Sequence, residues 1–285
     1  MQTLHSLDPL RRAVAGLRES GKIAFVPTMG ALHEGHLTLV REARKRADHV
    51  VVSIFVNPLQ FGANEDLDKY PRQLERDSAL LEAEGVALLW APTVEAMYPQ
   101  GFASNISVSG VSDGLCGASR PGHFDGVATV VCKLFHQVLP DVALFGEKDW
   151  QQLAVIRRMT RDLDLTRPHF DAVLGVATVR EEDGLAKSSR NAYLTQEQRV
   201  QAVTLPTAMK AAIAAIESGE PVATALAGLD SALLDGGFTS VDYAELRDAD
   251  ALTLLDERGE APMRLLVAAR IGTTRLIDNM PVAPK

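Results

Sequence analysis

Cysteine is scarce in this chain, with Cys116 and Cys132 the only two. Neither stands in a CxxC pair, and two thiols alone make neither a disulfide framework nor a four-ligand zinc site, so a reducing, cytoplasmic compartment is expected. Long apolar runs are lacking as well. The longest, residues 50–56, has Ser53 inside it and falls far short of the roughly 20 residues that cross a bilayer; no membrane partner is expected. Positive charge is in deficit. A formal net charge of -8 opposes the clustered Lys and Arg that displace counterions from a nucleic-acid backbone, and no nucleic-acid partner is expected. Asp8, Arg11, Arg12, Arg18 and Glu19 break up any apolar stretch of a secretory leader, so none is expected. No internal repeat or low-complexity tract is visible, and the alanines within 211–215 read simply as helix formers.

What is present is the composition of an ordinary folded protein: 285 residues, 46% hydrophobic and 23% charged. That length suits a main domain with a smaller one. Nearly continuous apolar runs at 23–28, 50–56, 86–90 and 142–145 read as strands covered on both faces. Helical spacing lies between them: Leu37, Val40, Ala43 and Ala47; then Leu74, Ser78 and Leu81 after Pro71; then Leu153, Ile156 and Met159 after Asp149. A further apolar helix is predicted to begin near Gly126. This alternation predicts an α/β fold, a doubly wound, Rossmann-like parallel sheet that binds ligands at the carboxyl ends of its strands. Beyond about residue 180 the pattern changes to helices near 197–218 and 222–234 and strands near 241–246, 265–269 and 275–277. That reads as a smaller α+β C-terminal domain. The expected division is a domain over 1–178 and a lid-like one over 179–285.

The segment from Pro27 to His36, PTMGALHEGH, falls where the first strand hands over to the first helix. A helix N-terminus offers unpaired N–H groups and partial positive charge, and Gly30 and Gly35 let backbone approach a phosphate closely. His33 and His36 add imidazole donors. A P-loop would need Lys and Ser or Thr after the second glycine, where His36 and Leu37 stand, and a zinc helix would need HExxH, whereas these histidines are three apart. A polar surface turn is the bland alternative.

Four other segments carry chemistry-bearing residues. Asn57 and Gln60, after the second strand, offer amides that read a small polar ligand without adding charge; an ordinary Asn-Pro turn is the rival reading. Arg120 and His123 could hold anions at a helix entry, or form a surface loop with a weak ion pair. In the segment Gly146-Glu147-Lys148-Asp149, Asp149 with Gln152 resembles a capping pair. Lys148 is unfavourable against the helix dipole, which a bound polyphosphate would explain. Lys187, Ser188, Ser189, Arg190 and Asn191 combine two hydroxyls with two cations, in what is otherwise a solvated turn.

HxGH after the first strand of such a sheet resembles the signature of the nucleotidylyl-transferase superfamily. The full PTMGALHEGH string is similar to one family within it, the pantothenate synthetases (pantoate-β-alanine ligases). So are SIFVNPLQFG, SRPGHF, FGEKDWQQ, SSRN and LIDN, which together span nearly the whole chain. The resemblance implies ATP-dependent condensation of pantoate with β-alanine through a pantoyl adenylate, releasing AMP and pyrophosphate. It implies ATP contacts from Met29, Gly30, Ala31, Leu32, His33, Glu34, Gly35 and His36, from Gly146, Glu147, Lys148 and Asp149, from Val179 at the adenine, and from Lys187, Ser188, Ser189 and Arg190. Gln60 and Gln152 would bind pantoate, Gln60 also β-alanine, with Asn57, His123 and Arg120 nearby. His36 is the first choice for catalysis, assisted by His33, Lys148, Ser188, Ser189 and Arg190, and the small domain would cover the nucleotide. Mg2+ would neutralise the polyphosphate, its protein ligands unassigned. The family implies a homodimer. Lys187 departs from the Met or Leu usual before SSR. Two rivals are a cofactor nucleotidylyltransferase, disfavoured by Gln60, Gln152 and GEKD, and a catalytically silent nucleotide binder, disfavoured by the histidines, Lys148 and the SSR segment.

Overall fold

The computed structural model describes residues 1–62 and 67–285. The chain divides into two units, Met1–Glu147 with Gln152–Ala177, and Lys148–Gln151 with Thr178–Lys285. In the first, the elements run β1 (Gln2–Leu4), α1 (Leu7–Ser20), β2 (Ile23–Thr28), α2 (Glu34–Arg44), β3 (His49–Ile54), α3 (Leu74–Ala83), β4 (Leu88–Trp90), α4 (Val94–Met97), α5 (Leu115–Ser119), α6 (His123–Val138), β5 (Val142–Gly146), α7 (Trp150–Asp162) and β6 (Val173–Val176). The strands form one sheet in the order β1-β4-β3-β2-β5-β6, parallel at every pairing. This is the expected Rossmann-like sheet. Its edge strands β1 and β6, three and four residues long, were not expected from the sequence.

Alternation puts successive side chains of each strand on opposite faces. Ala24, Val26, Val50, Val52, Leu89 and Leu144 meet Leu39, Val40 and Ala43 of α2 and Leu81 of α3 in one buried cluster. Among the residues of the other parity, Phe25 and Phe145 both meet Phe135 of α6 edge-on, with centroids 6.5 and 6.3 Å away, a favoured arrangement of ring quadrupoles. β2 connects through α2 to β3 on one side, while β5 pairs on its other side and leads through α7 to β6. The order therefore reverses between β2 and β5, the point where such sheets open a crevice at their carboxyl ends. The PTMGALHEGH segment leaves from the end of β2.

Two helical expectations need correction. The face of α3 is not the one Leu74, Ser78 and Leu81 would give: Leu74 is 39% exposed and Asp77 is 0% exposed, because the Asp77 carboxylate has buried backbone partners, described below. The helix expected to start near Gly126 starts at His123, directly after Gly122 at φ 79.

The second unit holds α8 (Gln196–Gln201), α9 (Thr204–Glu217), α10 (Val222–Asp235), β7 (Ser240–Asp248), β8 (Met263–Ile271) and β9 (Thr274–Val282). The strands form an antiparallel sheet, β7-β8-β9. Leu205, Met209 and Ile216 of α9 and Leu229 and Leu233 of α10 share a core with Leu265 and Val267 of β8. The single helix expected over 197–218 is two helices. Pro206 has no N–H to offer Ala202, so a continuous helix would leave that carbonyl unpaired; as the third residue of a new helix the proline costs nothing. Among the described residues no helix is long and apolar enough to cross a membrane.

Candidate active site

The loop leaving β2 is held from beneath. Gly30 (φ 83) and Ala31 (φ 52) are both left-handed, a conformation costly for alanine. The Ala31 and Leu32 N–H groups donate to the two oxygens of Asp77, at 2.8 and 3.0 Å. Thr28 Oγ1 donates to the Ser53 carbonyl at 2.8 Å and accepts from Gly30 N–H at 3.2 Å, tying the loop to β3. Asp77 was missed in the sequence. Its one signal is a charge on the apolar side of an amphipathic pattern, three residues after Leu74 and four before Leu81.

α2 begins at Glu34 with His33 as its N-cap. Gly35 N–H donates to His33 Nδ1 at 3.1 Å, and His33 N–H donates to His36 Nδ1 at 3.3 Å. A backbone N–H only donates, so both Nδ1 atoms accept, and each neutral ring carries its proton on Nε2. The rings lie side by side, centroids 4.2 Å apart. The helix-start backbone thus fixes both imidazoles as Nε2–H donors. A Cβ on Gly35 would come within 2.9 Å of the His33 ring, so the glycine between the histidines lets this reciprocal cap form.

Gln60 is the centre of a second arrangement, on the turn after β3. Its carbonyl accepts from His123 Nδ1 at 2.8 Å and from Arg120 Nη2 at 3.3 Å, while Arg120 Nη1 lies 3.0 Å from His123 Nε2. A carbonyl only accepts and a guanidinium only donates, so His123 carries its proton on Nδ1, the tautomer opposite to His33 and His36. His123 and Arg120 brace the Gln60 backbone. A Cβ on Gly126 would sit 2.3 Å from the Leu59 carbonyl oxygen, so only glycine lets α6 approach this turn. Asn57, 1% exposed, donates from Nδ2 to Gly126 O at 3.0 Å and to Gln60 Oε1 at 3.1 Å. Gln60 Nε2 in turn points at Met29 Sδ, 2.8 Å away. Met29, Asn57, Gln60, Arg120 and His123 are thereby brought together. Gln152 lies on α7 and belongs to the same unit.

Lys148 belongs to the second unit, with Val179, Lys187, Ser188, Ser189 and Arg190. The strand-end motif LIDN, Leu276 to Asn279 on β9, organises that unit's segments. Asn279 Nδ2 donates to the Lys148 carbonyl at 2.9 Å, its Oδ1 accepts from Arg264, and the Arg264 guanidinium stacks 3.5 Å from the centroid of Trp150. Trp150 Nε1 donates to the Ala249 carbonyl at 2.8 Å. Asp278, fully buried, takes a bidentate pair from Arg180 at 2.7 and 2.9 Å. Arg180 bridges to Ala186 across a short hairpin, and the SSR segment follows it. Lys187 N–H donates to the Val179 carbonyl, and its ammonium pairs with Glu181 at 2.6 Å. The departure at Lys187 thus adds a locally neutralised charge. Ser188 Oγ accepts from Arg190 N–H at 3.3 Å and opens a 3-10 turn, Ser189–Tyr193.

A doubly wound parallel sheet whose central strand delivers two oriented imidazoles at a helix N-terminus defines a nucleotide-using α/β enzyme. The family model for pantoate-beta-alanine ligase matches residues 2–281. A pantothenate synthetase of Novosphingobium aromaticivorans is 69% identical over the whole of both chains. The crystal structure of pantothenate synthetase from Thermus thermophilus superposes with a TM-score of 0.90 at 49% identity, covering all of both chains. Pantoate-beta-alanine ligase from Francisella tularensis, complexed with beta-gamma ATP and beta-alanine, matches with a TM-score of 0.83 at 32% identity over 98% of this chain and 97% of its own. The chain belongs to the pantoate-β-alanine ligase family.

Proposed function

We propose that His33 and His36 are the donors on which the chemistry of this enzyme turns, and that the observation carrying this is their reciprocal cap, which presents two Nε2–H groups at the start of α2. The enzyme joins pantoate to β-alanine at the expense of ATP. In our reading the pantoate carboxylate attacks the α-phosphorus, pyrophosphate leaves, and the amine of β-alanine then attacks the acyl carbon and expels AMP. Charge builds on the pentacoordinate phosphorus and on the leaving group, so fixed donors stabilise the transition state more than the ground state. We assign His36 to the reacting phosphate and His33 beside it, with Lys148, Ser188, Ser189 and Arg190 serving the polyphosphate. Backbone and side chains of Met29 to His36, Gly146 to Asp149 and Val179, with the backbone of Lys187, complete the ATP contacts in this reading. Gln60, Gln152 and Asn57 read pantoate, and Arg120 and His123 act through the Gln60 backbone.

Among the described residues no three His, Cys, Asp or Glu side chains gather in metal-binding proximity. Mg2+ would be held mainly by phosphate oxygens and water, the habit of a small hard cation that dehydrates reluctantly, and would supply charge neutralisation. We further propose a homodimer, which sedimentation of the purified chain tests, and a cytoplasmic location, which cell fractionation tests.

The function test is product analysis with ATP, Mg2+, D-pantoate and β-alanine, each omitted in turn. Pantothenate and AMP should form only in the complete mixture, and pyrophosphate should not require β-alanine. Transfer of AMP to a phosphorylated acceptor in place of pantothenate would overturn the reading in favour of a cofactor nucleotidylyltransferase.

A further inference from the structure

The amide of Gln60 could face a ligand as a donor or as an acceptor, and the groups behind it decide which. Asn57 is fixed first. Its Oδ1 accepts from Leu59 N–H at 3.2 Å and its Nδ2 donates to the Gly126 carbonyl at 3.0 Å; neither backbone partner works if the amide is turned over. Asn57 Nδ2 therefore donates to Gln60 Oε1, which fixes the Gln60 NH2 as the donor end of the amide, one N–H meeting Met29 Sδ at 2.8 Å and the other left for a ligand. The shortest bond to the Asn57 amide comes from Tyr98, whose hydroxyl donates to Oδ1 at 2.7 Å. Tyr98 is seated against Phe55 and Phe102, ring centroids 6.1 and 5.0 Å away. Burial also pushes its phenol well above the ordinary value, so the hydroxyl stays a donor.

We propose that Tyr98 is a positioning residue for pantoate recognition: through Asn57 it holds Gln60 as an N–H donor, matched to the carboxylate and hydroxyl oxygens of the acid. This rests on the reading of Gln60 as a pantoate-binding residue. Because Asn57 is almost fully buried, loss of the Tyr98 hydroxyl leaves its Oδ1 on the longer Leu59 bond alone with no water to replace the donor. The Asn57–Gln60 pair then loses its register.

The test is steady-state kinetics of Tyr98→Phe, Gln60→Ala and the double variant, varying each substrate in turn. Tyr98→Phe should raise KM for pantoate roughly fivefold, the scale of one buried hydrogen bond, with KM for ATP unchanged and kcat within about twofold. In the Gln60→Ala background the same change should have no further effect on pantoate, since residues acting through one another are non-additive. Gln60→Ala raising KM for pantoate while Tyr98→Phe leaves it unchanged, or equal effects of Tyr98→Phe in both backgrounds, overturns the role of Tyr98 alone. Gln60→Ala with an unchanged KM for pantoate overturns the reading of Gln60 as well. If Tyr98→Phe proves unstable, Asn57→Asp reports on the same link: a carboxylate accepts from Tyr98 and Leu59 but donates nothing to Gln60. KM for pantoate must then rise at least as far, and an unchanged value contradicts the relay.

Discussion

Residues 33–36 and residues 120–123 look alike in sequence: each puts a histidine and a glycine at the start of a helix of the same unit, and each has a charged side chain close by. Their imidazoles are nonetheless set in opposite ways. At 33 and 36 the Nδ1 atoms accept from backbone N–H groups and the protons sit on Nε2. At 123 the ring donates from Nδ1 to the Gln60 carbonyl and meets Arg120 at Nε2. What separates an Nε2–H ring from an Nδ1–H ring is which backbone group lies beside it, an N–H or a carbonyl. The motif alone does not carry that information, because a histidine reads the same in either tautomer.

This contrast is sharpest in kinetics. His36→Ala should cost kcat about 100-fold, the usual loss on removing one transition-state donor, against about 1 kcal/mol of stability for the lost cap; near wild-type turnover in a folded variant would sink the assignment. Next comes the support of the donor loop. Asp77→Ala strips two buried N–H groups of a charged acceptor and should lower unfolding free energy by about 2–3 kcal/mol in urea titrations, with KM for ATP rising. If KM for ATP held while stability fell, the loop would not need its clamp to bind nucleotide. His123→Ala should be milder, near 1 kcal/mol, since Arg120 still reaches the Gln60 carbonyl. It should move KM for pantoate more than kcat, and a His36-like collapse of kcat would erase the distinction between donor and brace. Lys187→Met, which removes an ion pair with a half-exposed Glu181, should change stability by under about 0.5 kcal/mol and turnover hardly at all. A large loss of kcat there would show the ammonium leaving Glu181 for the phosphates.

The four inner strands of the main sheet were legible because continuous apolar runs separated by helical spacing leave little choice of architecture. The gathering of chemistry-bearing segments at the carboxyl ends of the strands was legible because PTMGALHEGH, NPLQFG and GEKD each come at the end of such a run. Long-range partners were not. Asp77 reaches the loop after β2 from a helix more than forty positions away, and no local period announces a carboxylate that substitutes for a hydrophobe. LIDN was visible as a string without a role; its Asp278 and Asn279 act on Arg180 and Lys148, about a hundred residues or more upstream. The break between α8 and α9 could have been read from Pro206, but the alanines around it read as one continuous helix former. The start of α2 depends on His33 capping through one particular tautomer, which composition cannot foretell.

The central claim, attack of the pantoate carboxylate on the α-phosphorus, is tested most directly with pantoate labelled with 18O in its carboxylate. One labelled oxygen should appear in AMP, carried over when the carbonyl carbon–oxygen bond of the adenylate breaks. Unlabelled AMP, or label in inorganic phosphate formed with ADP, would contradict it.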